Sequence, residues 1–141
     1  MRQYLLDTNV LIDYLTLREP FGATAAALLR AGAVGKVRFY AASLSFVTIE
    51  YIIRRQTSTA QARQLPEQLA HVVEIVPVGA VTVRQALASD FTDFEDAIQY
   101  FTALTQPTIQ AIITRDPKGF RASSLPVLSV AGALLELDNA A

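Results

Sequence analysis

The chain has 141 residues, 52% of them hydrophobic and 18% charged, which is enough apolar surface for a single core and excludes a disordered segment. Twelve basic side chains against thirteen acidic ones leave a net charge of −1, so the overall positive field of a strongly basic nucleic-acid binder is excluded. With no cysteine and one histidine, His71, disulfides, thiolate metal sites and histidine cages are also excluded, and a bound metal would need hard oxygen ligands of the kind that suit magnesium or manganese.

Tyr4-Leu5-Leu6 is a short apolar run ended by Asp7-Thr8-Asn9, and Val10, Leu11, Tyr14 and Leu15 then recur at helical spacing, a strand-turn-helix reading. Pro20-Phe21-Gly22 breaks that pattern before an alanine-rich helix over Thr24 to Ala31, closed by Gly32 and Gly35. A strand at Val37 to Ala41 leads to a helix capped by Ser43 or Ser45 and running to Gln56, then to another over Thr59 to Ala70 that contains Pro66. Val72 to Val78 reads as a strand, and the Pro77 within it favours a strand end or a sheet edge. A short helix over Val81 to Ala88 and a stronger one over Asp93 to Thr105 precede the apolar strand Ala111 to Thr114, which ends in the turn Arg115-Asp116-Pro117-Lys118-Gly119. A strand at Val127-Leu128 and a helix over Val130 to Leu137 close the chain.

Short apolar strands alternating with helices predict an α/β fold with a mainly parallel sheet between helical layers, in one domain over residues 1–141. In such sheets ligands bind at the carboxyl ends of strands, where Asp7 and Asp116 both fall. The early Asp7 leaves no room for a secretory signal, and no apolar run approaches the roughly twenty residues of a membrane span, so a cytoplasmic location without membrane attachment is expected.

Acidic side chains stand at element boundaries in Leu6-Asp7-Thr8-Asn9, Asp93-Phe94-Glu95-Asp96 and Thr114-Arg115-Asp116. Carboxylates that converge raise one another's pKa, and a hard divalent cation relieves the repulsion, activates a coordinated water and neutralises charge on a phosphodiester. Each acid also has an ordinary structural reading. Asp7 can cap a helix, Asp116 fits a type I turn, and Asp93 and Asp96, three apart on one helix face, suit the helix dipole. Glu50 can lie on a polar helix face, and Thr92-Asp93-Phe94-Glu95 reads as a capping box that makes Glu95 structural.

In order, Leu5-Leu6-Asp7-Thr8-Asn9-Val10-Leu11-Ile12-Asp13, Asp93-Phe94-Glu95-Asp96-Ala97-Ile98-Gln99 and Ile112-Ile113-Thr114-Arg115-Asp116-Pro117-Lys118-Gly119-Phe120 closely resemble the PIN-domain family, in particular its VapC-type toxins. The resemblance spans nearly the whole chain. It implies a three-layer α/β/α sandwich whose acidic cluster binds Mg2+ or Mn2+ and hydrolyses RNA phosphodiester bonds. It further implies a toxin restrained by a small antitoxin protein, and a homodimer, for which the apolar helices over Ala23 to Leu29 and Phe46 to Ile53 are available. By motif, Asp7, Asp96 and Asp116 match the family's metal-holding acids and Asp93 an additional acid, while Thr8, Asn9 and Thr114 match the polar residues that support them.

The chain departs from the pattern at two places. Where relatives carry a second acid at the start of a helix, the alignment offers Thr48 or, two residues on, Glu50; about 200° apart, they cannot both face one site, and Glu50 is the preferred reading. Gly119 replaces an Asp found in many relatives. Arg115 and Lys118 are the expected contacts to the RNA backbone. The alternative is a catalytically weakened PIN-like module that binds RNA or protein without turnover.

Overall fold

Residues 1–139 are described by a computed structural model, and among them five strands and seven helices alternate. They are β1 (Arg2–Leu6), α1 (Thr8–Thr16), α2 (Gly22–Ala33), β2 (Val37–Ala42), α3 (Ser43–Gln56), α4 (Thr59–Leu69), β3 (Glu74–Val76), α5 (Ala80–Leu87), α6 (Phe94–Leu104), β4 (Ala111–Ile113), a 3-10 turn (Pro117–Phe120), β5 (Val127–Leu128) and α7 (Val130–Asn139). The strands form one sheet in the order β3-β2-β1-β4-β5, and every pair is parallel. Parallel neighbours require crossover connections, so helices cover both faces and the central strands are apolar throughout.

Side-chain alternation divides the core. Tyr4, Leu6, Phe39, Ala41 and Ile113 face one way and pack with Leu11, Leu28, Ile49, Leu69 and Leu137 from α1 to α4 and α7. Leu5, Tyr40 and Ile112 face the other way and meet Tyr100 and Ala103 of α6 and Phe120 of the 3-10 turn. The result is the expected three-layer α/β/α sandwich. No helix among the described residues is long and apolar enough to cross a membrane.

Local differences from the sequence reading have identifiable causes. The third strand is confined to Glu74–Val76 at the sheet edge, because Val72 and Val73 close a turn by bonding back to Leu69 O, at 2.9 and 3.2 Å. Neither Ser43 nor Ser45 caps α3. Its N-cap is Ala42, while Ser43 Oγ accepts from the Val78 N–H at 3.1 Å and Ser45 Oγ pairs with Thr8 Oγ1 at 2.8 Å. Helix α4 runs through Pro66, whose ring is buried. In the α1 to α2 connection, Phe21 and Gly22 N–H both donate to Arg18 O, and a Cβ at Gly22 would collide with the Leu17 backbone. That close approach fixes Arg18 and Phe21 beside the carboxyl end of β1.

Ile112 is fully buried in a central strand. Ile112→Ala should cost about 3 kcal/mol of unfolding free energy, read as a lower urea midpoint with an unchanged m-value.

Candidate functional site

Asp7 ends β1 at the middle of the sheet and is almost fully buried. Its side chain makes no capping bond to α1. Instead Gln99 Nε2 of α6 donates to its Oδ1 at 2.8 Å, and Thr114 Oγ1, just past β4, donates to its Oδ2 at 2.6 Å. Burial raises the Asp7 pKa, and these two hydrogen bonds oppose the rise. Thr8 extends the scaffold, since its N–H donates to Gln99 Oε1 at 3.0 Å and its hydroxyl meets Ser45 of α3. Asn9 lines the same cavity, and its Oδ1 is buried without a hydrogen-bond partner among the described residues.

The remaining acids converge on Asp7 from two directions. Asp93 is the N-cap of α6 and accepts from the Asp96 N–H at 2.9 Å. The expected capping box is therefore shifted by one residue: Thr92 is not the cap, and Glu95 does not reach back to the helix start. Freed from that role, Glu95 turns into the cavity and accepts from Thr48 Oγ1 at 2.8 Å. Asp116 stands on the turn after β4, its N–H donating to Thr114 Oγ1 at 2.9 Å. Asp7, Asp93, Glu95, Asp96 and Asp116 thus line one open cavity of about 340 Å³, together with Asn9, Thr48, Arg18 and Arg115.

Their charges are felt mutually. The Asp96 carboxyl is pushed up to about 7, first by burial and then by the negative charges of Asp7, Asp93, Glu95 and Asp116. Glu95 is also raised, mainly by burial, against the opposing bond from Thr48. A Cβ at position 119 would meet Asp96 Oδ2, so a side chain there would require the Asp96 carboxylate to shift.

The geometry corrects the placing of Glu50. Glu50 does not join the acids. It faces away on α3, where Arg54 Nε lies 3.2 Å from Oε1 and Arg63 Nε 3.9 Å from Oε2. Thr48 and Ile52 are what α3 contributes to the cavity wall. Arg115, expected at an RNA backbone, lines the cavity while paired with the buried Asp13 through Nε and Nη2, at 2.9 and 3.3 Å, and its guanidinium lies 4.2 Å above the Phe21 ring. Lys118 lines a second cavity of about 510 Å³ with Arg121, on the far side of Asp93, Asp96 and Asp116. Neither Lys118 nor Arg121 is in a salt bridge among the described residues.

Sequence reasoning gave no role to Gln99, Arg18 or the Asp13 to Arg115 pair. The available signal for Gln99 was an uncharged polar side chain one turn after Asp96 on the apolar face of α6.

The donor set fits a hard divalent cation in its chemistry, being all oxygen, anionic and self-repelling. Among the described residues no three acids are already drawn together into a metal-binding group, so the cation's charge would have to gather them.

The family model described as PIN domain matches residues 3–118. No curated protein sequence matches the chain. Among solved structures, DNA-bound VapBC from Salmonella typhimurium superposes with a TM-score of 0.70 at 14% identity, covering 92% of this chain and 99% of that one. VapBC-1 from nontypeable Haemophilus influenzae gives 0.68 at 17% identity, with 92% and 98% covered. Mycobacterium tuberculosis VapC20, described as a Sarcin-Ricin loop cleaving toxin, gives 0.65 at 18% identity, with 84% and 94% covered. At these identities the likeness is one of fold.

A raised acid pKa makes the folded state bind a proton that the unfolded chain has already released. For Asp96 stability should therefore fall as pH rises from its ordinary 3.8 to about 7 and then level off. Thermal melts in EDTA across that range should show the slope, and Asp96→Asn should flatten it. Arg115→Ala leaves Asp13 buried without its counter-charge and should cost roughly 2–3 kcal/mol, discounted for the partial exposure of Arg115, as measured by urea unfolding.

Proposed function

The chain belongs to the PIN-domain family, and from that membership we propose that it is an endoribonuclease that hydrolyses RNA phosphodiester bonds with a bound Mg2+ or Mn2+. The observation that carries this reading is the convergence of five carboxylates on one open cavity at the carboxyl end of the central strand. Asp7, Asp96 and Asp116 would hold the ion, with Asp93 beside them. When bound, a hard divalent cation lowers the pKa of a coordinated water and offsets charge developing on the phosphoryl oxygens.

The protein's own residues supply position and charge. Gln99 and Thr114 fix both oxygens of Asp7, so its carboxylate needs no reorganisation when the site fills. Thr8 ties this unit to α3, and Asn9 leaves an unpaired acceptor at the cavity. Arg18 on one side, with Lys118 and Arg121 on the other, offers phosphate contacts flanking the acids, which a chain of net charge −1 cannot provide through its overall field. Arg115 acts in this scheme as a brace that holds the strap bearing Asp116 to α1. Glu50 takes no part.

The similarity of fold to VapBC complexes supports the further reading that this is the toxin of a toxin–antitoxin pair, held in check by a small antitoxin protein in the cytoplasm. A homodimer is proposed alongside it. Helix α2 commits Ala25, Leu28 and Leu29 to the core, whereas α3 leaves Val47 and Tyr51 exposed for a second copy.

Purified protein should cleave a mixed RNA pool in Mg2+ or Mn2+ but not in EDTA, and Asp96→Asn should lose the cleavage. Wild-type protein that retains RNA yet cuts nothing in either metal would instead mark a binding module without turnover.

A further inference from the structure

We infer that Glu95 supplies from α6 the carboxylate that α3 lacks, that Thr48 is the residue positioning it, and that together they complete the cation site. The inference rests on the nuclease reading above and adds a ligand and its support to that site.

The wall that α3 presents to the acids is neutral. Of its residues Thr48 and Ile52 line the cavity, and Glu50, about 200° round the helix from Thr48, is turned outward to Arg54 and Arg63. The Thr48 hydroxyl is directed across the gap to Glu95 Oε2 at 2.8 Å, since its other acceptor, Leu44 O of its own helix, lies at 3.5 Å, the outer limit for a hydrogen bond. Thr48 thus performs for a carboxylate on the neighbouring helix the service that outer residues give to a metal ligand, fixing one oxygen and leaving the other available.

Glu95 has no competing structural task. A Glu in the first turn usually serves as the far half of a capping box, but that end of α6 is closed by Asp93 accepting from Asp96. No cation pairs with Glu95 among the described residues, and Thr48 is its one side-chain partner there. A half-buried carboxylate facing Asp7 and Asp93 without a counter-charge destabilises the fold unless something positive enters the cavity. Asp93, from its extended N-cap position, and Glu95 and Asp96, from the first turn of α6, then reach the cavity opposite Asp7 and Asp116 from the sheet.

The test is Mn2+ titration of the purified protein, followed by electron paramagnetic resonance of the free ion, with melts in EDTA as a metal-free readout. Glu95→Gln should weaken Mn2+ binding about 10-fold or more; Thr48→Val should weaken it in the same direction, and Thr48→Ser should restore it. Glu50→Gln should bind as wild type. In EDTA, Glu95→Gln should melt at or above the wild-type temperature, because it removes a charge from an anionic cavity, whereas loss of a helix cap would lower it. Wild-type binding with no loss in Glu95→Gln overturns this inference alone. A wild-type protein that takes up no Mn2+ overturns it together with the nuclease reading.

Discussion

A buried carboxylate at the end of the central strand is the constraint around which the rest of the molecule is arranged. Asp7 takes its backbone position from β1, where its N–H donates to Ile113 O of β4 at 2.9 Å. Its side chain is then claimed by Gln99 from one helical layer and by Thr114 from the neighbouring strand. Bonds to a charged group are worth about 1.5–3 kcal/mol each, and two of them offset much of what it costs to take a carboxylate out of water. Strand, flanking strand and covering helix are thereby fixed relative to one another at the point where the cavity opens.

The charges around that cavity follow a division of labour. Inside, carboxylates are met by uncharged donors: Gln99, Thr114, Thr48 and the backbone at the start of α6. Cations are kept to the rim, and Arg115, one of the two arginines lining the acid cavity, is paired with Asp13 and laid against Phe21. An internal arginine bridging the acids would have stabilised the folded chain and occupied the place a divalent ion requires. The elevated Asp96 pKa records first its burial and then the negative charges of its neighbours, which no internal cation offsets among the described residues.

The layers and the parallel sheet were legible in the sequence because apolar runs are local signals read over a few residues, whereas Asp7, Asp93, Asp96 and Asp116 are grouped only by the resemblance of three ordered motifs to the PIN-domain family, since spacing leaves each acid its ordinary structural reading. The features that escaped depend on how elements face one another. Glu50 and Thr48 sit on one helix, and their roles are decided by the rotation of α3 against α6, which no window of sequence encodes. Glu95 was taken as a cap because its spacing from Thr92 was right, yet the helix starts one residue later, on Asp93. Gln99 was hidden because its partner lies 92 residues away.

The same architecture sets an order of events during synthesis. β1 is translated first, but Thr114, the residue that completes the seat of Asp7, follows it by 107 positions. A chain emerging from the ribosome therefore carries the first half of the acidic site long before β4 can slot in beside β1, and non-local pairing of this kind is slow to form. Every nascent copy passes through an interval in which the cavity has no second wall. Until that pairing forms, the growing chain holds Asp7 without the hydroxyl that seats its carboxylate.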